Sequence, residues 1–220
     1  MATLTQPRPT SADRPAEAPT TTVGRAMSRL SSVRVWAVAA AVYGVVALTF
    51  FGSGAGFAIP SVEQACGQAP LDMRFTSTAG EVHAFLEACG PAGREAYRAL
   101  QVADLLYPLV FAVFLAASLA LVLRLLAPDR RGLVGIAALP FVAAGFDHLE
   151  NVCAWLALSA WPEPGVADGL LGLFSAAKTV TSWGAGVVLL AALAALAVRR
   201  AHALVRAGLH QNPSGRGGRR

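Results

Sequence analysis

Asp104, Tyr107, Asp147, Glu150, Asn151 and Lys178 interrupt runs of sequence that are otherwise almost wholly apolar. Ionisable groups in such runs are costly and mark either a site or a required internal pair. Asp147 and Glu150 stand three apart and Asp147 and Asn151 four apart, so all three share a helix face. Lys178 with Thr181 and Ser182, and Asp104 with Tyr107 and Pro108, repeat that spacing on two further segments. Carboxylates facing an amine can bind a polar or cationic head, carry a proton, or neutralise one another. Three acids (Asp104, Asp147, Glu150) against one amine leave two formal negative charges over, and burying those unpaired is very unfavourable. Lys178 is the only lysine among 18 Lys and Arg residues, one compact, titratable amine in a chain that otherwise uses arginine. Pro108 cannot bond the carbonyl of Asp104, which predicts a kink and a free acceptor at that level.

Other chemistries lack their residues. No P-loop, G-x-S-x-G or H-E-x-x-H pattern is present. Asp147-His148-x-Glu150 lacks the E-x-x-H spacing of bundle di-metal sites. His148, turned about 100° from Asp147 along a helix, reads as a packed residue. No metal and no cofactor are expected.

The elements that must position these residues are membrane spans. The 220 residues are 55% hydrophobic and 14% charged, against about a quarter charged in a soluble domain, and the mean hydropathy is +0.53. That excludes a soluble globular domain, a disordered chain and a disulfide-dense miniprotein. A bilayer core needs about 20 apolar residues in a helix. Four runs meet this, at about 36–59, 104–126, 133–161 and 169–198, giving an all-α, polytopic membrane protein with a four-helix transmembrane domain over 31–200. Counted at about 1.5 Å per residue from the arginine-marked ends, Asp147 lies about 24 Å in, Glu150 about 28 Å, and Asp104 and Lys178 about 30 Å. The four sit at compatible depths, in the outer half.

The net charge of +5 is topological rather than a nucleic-acid signal. Arginines gather in the N-terminal segment (Arg8, Arg14, Arg25, Arg29, Arg34), in the turn at Arg124, Arg130 and Arg131, and from Arg199 to the C-terminus. The connections 60–103 and 162–168 are acidic on balance, so both termini are expected in the cytoplasm. Residues 1–30, rich in Thr, Pro, Ala and Ser, read as a disordered cytoplasmic tail, and 201–220 as a basic one. The long segment before the first run argues for an uncleaved span over a secretory signal. Gly52-x-x-x-Gly56 predicts close helix packing at the outer end of that span.

The outer loop, 60–103, is expected to be helical. Thr78-Ala-Gly-Glu81 is a capping box opening a short helix that stops at Gly90. Pro91 suits the first turn of a second helix running unbroken into span 2. Arg74 and Arg94 could close a pocket over the polar cluster. Cys66 and Cys89 either form a disulfide, on the oxidising side, or remain two buried thiols; Cys153, inside span 3, reads as a small hydrophobe.

The succession Leu71-Asp72-Met73-Arg74-Phe75, Gly90-x-x-Gly93-Arg94-x-x-Tyr97, Asp104-x-x-Tyr107-Pro108, Phe146-Asp147-x-x-Glu150-Asn151 and Lys178 resembles a group of small four-helix bacterial membrane proteins of uncharacterised activity. The likeness spans about residues 70–182. It implies the same architecture, a bacterial cytoplasmic membrane and the same polar residues, and no reaction. A weaker likeness to four-helix sterol-isomerase and sterol-binding membrane proteins is architectural and rests on no shared motif.

Three functions stay open. The first is a binding protein whose outward-facing pocket between spans 2, 3 and 4 holds a small amphiphile or cation, lined by Asp104, Tyr107, Asp147, Glu150, Asn151 and Lys178 with Arg74 and Arg94. The second is a structural or assembly protein whose network only fixes helix packing. The third is an enzyme using Asp147 or Glu150 as a general acid on a lipid or isoprenoid-like substrate. The expected partners are the lipid bilayer, that ligand and a possible second copy of the chain, with no nucleic acid.

Overall fold

The computed structural model of the chain describes residues 21–129 and 131–211. Among them there is no strand. Seven α-helices follow in order: α1 (Thr22–Leu30), α2 (Val33–Gly52), α3 (Ile59–Cys66), α4 (Ala79–Ala103), α5 (Tyr107–Leu126), α6 (Leu139–Ala160) and α7 (Val166–Gln211). Short 3-10 turns lie at Leu71–Met73 and Arg131–Ala138. Four helical stretches are long and apolar enough to cross a membrane, carried by α2, α4–α5, α6 with the turn before it, and α7.

Helix α5 is the centre of the bundle, and its composition explains why. Ala112, Ala116, Ala117, Ser118 and Ala120 let neighbouring backbones approach closely, and all are buried. Trp36 on α2 donates its Nε1–H to Ser118 Oγ at 3.1 Å, and Ser118 spends its own proton on Phe114 O at 2.8 Å. Helices α6 and α7 make the most extensive pair. The outward faces of α2 and α7 stay apolar, with Val45 67% and Leu48 72% exposed.

Above the bundle, α3 and α4 form a cap closed by the Cys66–Cys89 disulfide. The bridge lies on Gly93, where an added Cβ would meet Cys89 Cβ at 3.0 Å and Cys66 Sγ at 3.1 Å. The capping box forms, with Glu81 N–H donating to Thr78 Oγ1 at 3.3 Å and Thr78 N–H to Glu81 Oε2 at 2.7 Å. At Gly90 (φ 60°) α4 bends, a conformation open to glycine, before Pro91 restarts it. Cys153 is buried and unbonded.

The structure departs from the sequence expectations at four places. Span 1 ends at Gly52, not residue 59. Glycine disfavours helix interiors, and Ser53 Oγ turns to Thr49 O (2.6 Å) while accepting from Ala55 N (3.2 Å). Nothing lies within 4 Å of a Cβ placed on Gly52 or Gly56, so they pack no helix. The cap does not run unbroken into span 2. Helix α4 stops at Ala103, and residues 104–106 turn before α5 opens with Pro108 in its first turn. Within the expected N-terminal tail, Thr22–Leu30 is helical because Thr21 caps it, accepting from Gly24 N at 3.0 Å. Met27 and Leu30 then pack on Leu119, Ala120, Val134 and Ala137. The expected C-terminal tail continues α7 to Gln211. Residues 1–20 and 212–220 of the two tails lie outside the described residues.

Between α3 and α4, residues 71–78 form a strap lying against α7. Thr76 Oγ1 donates to Gly172 O at 3.0 Å. A Cβ on Gly172 would stand 1.9 Å from Ser77 O and 2.6 Å from Ser77 N. Gly172→Ala must therefore push the strap off α7, at a cost of about 1–3 kcal/mol, the range for overpacking. Gly186→Ala, with nothing within 4 Å, serves as the control. Unfolding of both variants in detergent checks this, and equal stabilities would show that the contact does not hold the strap.

Candidate functional site

The polar cluster is assembled by α4, α6, α7 and the strap. Lys178 on α7 reaches two carboxylates one turn apart on α6: Nζ is 2.5 Å from Glu150 Oε2 and 3.2 Å from Asp147 Oδ1. Ser175, three residues before Lys178, donates its hydroxyl to Glu150 Oε1. Glu150, 1% exposed, is thus held at both oxygens. One turn along α6's polar face, Asn151 Nδ2 donates to Asp104 Oδ2 at 2.8 Å and lies 3.4 Å from the Asp104 carbonyl. That carbonyl is the acceptor that Pro108 leaves free, and Asn151 fills it.

Beside these pairs lies a partly open cavity of about 350 Å3. Asp72, Asp104, Asp147 and Lys178 supply its polar side, with Thr179 and Ser182 next to the amine. Much of the remaining lining is aromatic. Tyr107 stands 5.2 Å from Phe50, 5.8 Å from Phe51 and 6.3 Å from Phe111, ring centre to ring centre. Trp183 closes the α7 side. Because Phe50 and Phe51 come from α2, the cavity involves span 1 as well as spans 2, 3 and 4.

The expected site residues separate into three groups. Asp104, Tyr107, Asp147 and Lys178 face the cavity. Glu150 and Asn151 are buried behind it, bonded to the others. Arg74 and Arg94 are not in the cluster. Arg74 donates to Gln68 Oε1 (3.0 Å) and Ala69 O (3.2 Å), its guanidinium 5.6 Å from the Phe85 ring centre. Arg94 donates to Leu86 O at 2.8 Å, just before the Gly90 bend, and lies 5.0 Å over Trp161. Arg74 spends its donors on a side-chain amide oxygen and a backbone carbonyl, Arg94 on a backbone carbonyl, and each stacks on an aromatic face, so neither closes the pocket.

Four residues join that sequence reasoning did not place there. Asp72, on the 3-10 turn of the strap, enters the cavity, and its Oδ1 is buried without a partner. Burial pushes the Asp72 carboxyl above the usual carboxylate range, and the Lys178 charge pulls it part of the way back. Tyr97 and Gln101 continue the Asp104 face of α4 at i, i+4 and i+7, a spacing visible in the sequence, and both are fully buried. Gln101 keeps both amide atoms unpartnered. Ser175 is the fourth. Its signal was the i, i+3 spacing to Lys178.

Four carboxyls (Asp72, Asp104, Asp147, Glu150) now surround one amine. Such a cluster can hold a cation or share a proton, and it has no free positive charge for an anion. Among the described residues, no three His, Cys, Asp or Glu side chains converge as metal ligands would. No protein family, curated protein or solved structure matches this chain.

Two outcomes are expected. Lys178→Met, which strands the buried Glu150, should cost about 3–5 kcal/mol, as for removing one partner of a buried pair. Glu150→Gln/Lys178→Met should then cost less than the sum of the single variants. Denaturant unfolding in detergent measures both, and strict additivity would mean the pair is not coupled. For Asp72, a raised pKa means the folded state binds the proton more tightly than the unfolded chain. The stability this confers is full below the ordinary value of 3.8 and is lost as pH rises through the raised one. Wild type should therefore weaken relative to Asp72→Asn as pH rises from about 4, and parallel stability curves would exclude that burial effect.

Proposed function

We propose that this chain is a multi-pass protein of a bacterial cytoplasmic membrane, belonging with the small four-helix proteins it resembles, and that its cavity binds a small amphiphilic or cationic ligand. Both termini lie in the cytoplasm and the α3–α4 cap outside, following the arginine distribution. Lipid contact accounts for the apolar outward faces: Val42, Val45 and Leu48 on α2 and Val180, Val187 and Leu190 on α7 are all exposed. A continuous apolar surface of that extent is rare on a water-soluble monomer. At this orientation the cavity opens on the outer side.

The observation that carries the binding reading is the split within the cluster. Glu150 lies behind the cavity, paired with Lys178 and Ser175, whereas three carboxyls border the cavity beside that single, already engaged amine: Asp104 bonded to Asn151, Asp147 to Lys178, and Asp72 with its Oδ1 unpartnered. A network that served packing alone would have no reason to direct unbalanced carboxyls at open space. The packing reading is favoured by the buried half, in which Ser175 and Lys178 engage Glu150, Asp104 accepts from the Asn151 amide, and these contacts tie α6 to its neighbours.

Co-purification separates the two. Wild type and Glu150→Gln/Lys178→Met, extracted in the same mild detergent and both shown to be folded, are compared by mass spectrometry of the small molecules they retain. A discrete species held by wild type and lost from the variant is expected. Identical bulk-lipid profiles from both would leave packing as the role of the cluster.

A further inference from the structure

The chemistry of the cavity narrows the ligand beyond amphiphile or cation. Three carboxyls border it, and its one amine is engaged by Glu150 at 2.5 Å and Asp147 at 3.2 Å. An anionic head would meet those carboxyls with no uncommitted positive partner. A cationic head would lower the formal negative surplus and meet Asp72 Oδ1, a buried oxygen that has no partner of its own. The lining is also rich in aromatic rings, and a ring face attracts a desolvated ammonium. An inorganic divalent ion fits less well, since no metal-like convergence of ligands occurs among the described residues.

Size and surroundings define the rest of the molecule. At about 350 Å3 the cavity is at the small end of the range for ligand pockets, roughly 300–1,000 Å3. It can take a head group and a few carbons. Its rim is apolar and unburied: Phe51 is 45%, Met73 50% and Trp183 67% exposed. Phe51 and Trp183 belong to α2 and α7, whose neighbouring faces are the apolar ones assigned above to lipid. A chain leaving the cavity past them would enter hydrocarbon rather than water.

We infer that the cavity takes an amphiphile with a single ammonium head, the head held between Asp72 and Asp147 against the Tyr107 and Trp183 rings and the alkyl tail leaving between α2 and α7 into the bilayer. This rests on the ligand-binding reading above. It makes Asp72, delivered by the cap rather than by a span, the residue that distinguishes a cationic ligand from a neutral one.

The test uses full-length protein in a maltoside detergent and two probes of equal chain length, decyltrimethylammonium and decyl sulfate, titrated calorimetrically below their micellar concentrations. Saturable binding of the ammonium probe alone is expected. Asp72→Asn should weaken it at least about tenfold, as for truncating one partner of a buried charge contact. Trp183→Ala, at an exposed position that does not threaten folding, should weaken it roughly threefold through the lost ring face. Asp129→Asn, an exposed carboxylate in the turn after α5, should leave it unchanged. Saturable binding of decyl sulfate without the ammonium probe would overturn the cationic class while leaving a ligand pocket in place. Binding of neither probe would overturn both this inference and the pocket reading. Ammonium binding that Asp72→Asn and Trp183→Ala both leave intact would place it elsewhere on the protein and overturn the inference alone.

Discussion

A single amine must balance the carboxyls of this bundle, and most of the arrangement follows from where that amine sits. Lys178 enters from α7 and meets Glu150 and Asp147, one turn apart on α6. Charges taken from water are stable only with close partners and satisfied hydrogen bonds, and the desolvation cost of each is several kcal/mol. That cost leaves little freedom of register. A slide of α7 by one residue would turn Lys178 about 100° away from the pair and carry Ser175 off Glu150 with it. The extensive α6–α7 packing is therefore tied to two polar contacts. The apolar side chains of α7, mostly directed outward, could accept many registers.

The same constraint explains why the cap is fastened so heavily. Asp72 is not on a span; it reaches the cluster on a strap of a few residues. That strap is fixed at one end by the Cys66–Cys89 bridge and the tight approach of α3 to Gly93. At the other it is fixed by the Thr78–Glu81 capping box and by Thr76 and Ser77 against Gly172. Arg74, beside Asp72, is turned the opposite way, onto Gln68, Ala69 and the Phe85 ring. Had Arg74 paired with Asp72 instead, the buried Asp72 Oδ1 would not stand unpartnered at the cavity.

Much of this was legible in the sequence, because the strongest constraints are also the most local. Charge-free runs define spans, a lone lysine among arginines is conspicuous, and i, i+3 spacing puts Asp147 and Glu150 on one face. The Pro108 argument left the Asp104 carbonyl unbonded, and the structure gives it to Asn151. The contributions that escaped depend on tertiary approach. Nothing local distinguishes Asp72 from the other acids of the loop; the tertiary fastening of the strap, including its contact with Gly172, brings it inward. Arg74 and Arg94 looked available because their stacking partners, Phe85 and Trp161, are distant in sequence or on another element. Apolarity alone also overran the end of span 1, where glycine entropy and the Ser53 hydroxyl decide the boundary.

Under the proposed binding role, packing and binding belong to different faces of one cluster. Toward the interior, Glu150, Ser175 and the Asn151 amide nitrogen are engaged in contacts with little capacity to change, since each loss would strand a buried polar group. Toward the cavity, Asp72 and Asp147 face space bounded by rings. The closed face keeps the open one in shape: Glu150 holds the Lys178 ammonium in place, so Asp147 meets a fixed partner and Asp104 is steadied by Asn151. Under that proposal the pocket would need little reordering on being filled, and preorganisation of that kind favours affinity. Glu150 thus acts at the pocket from behind it, holding the Lys178 ammonium that lines the cavity in place beside Asp147.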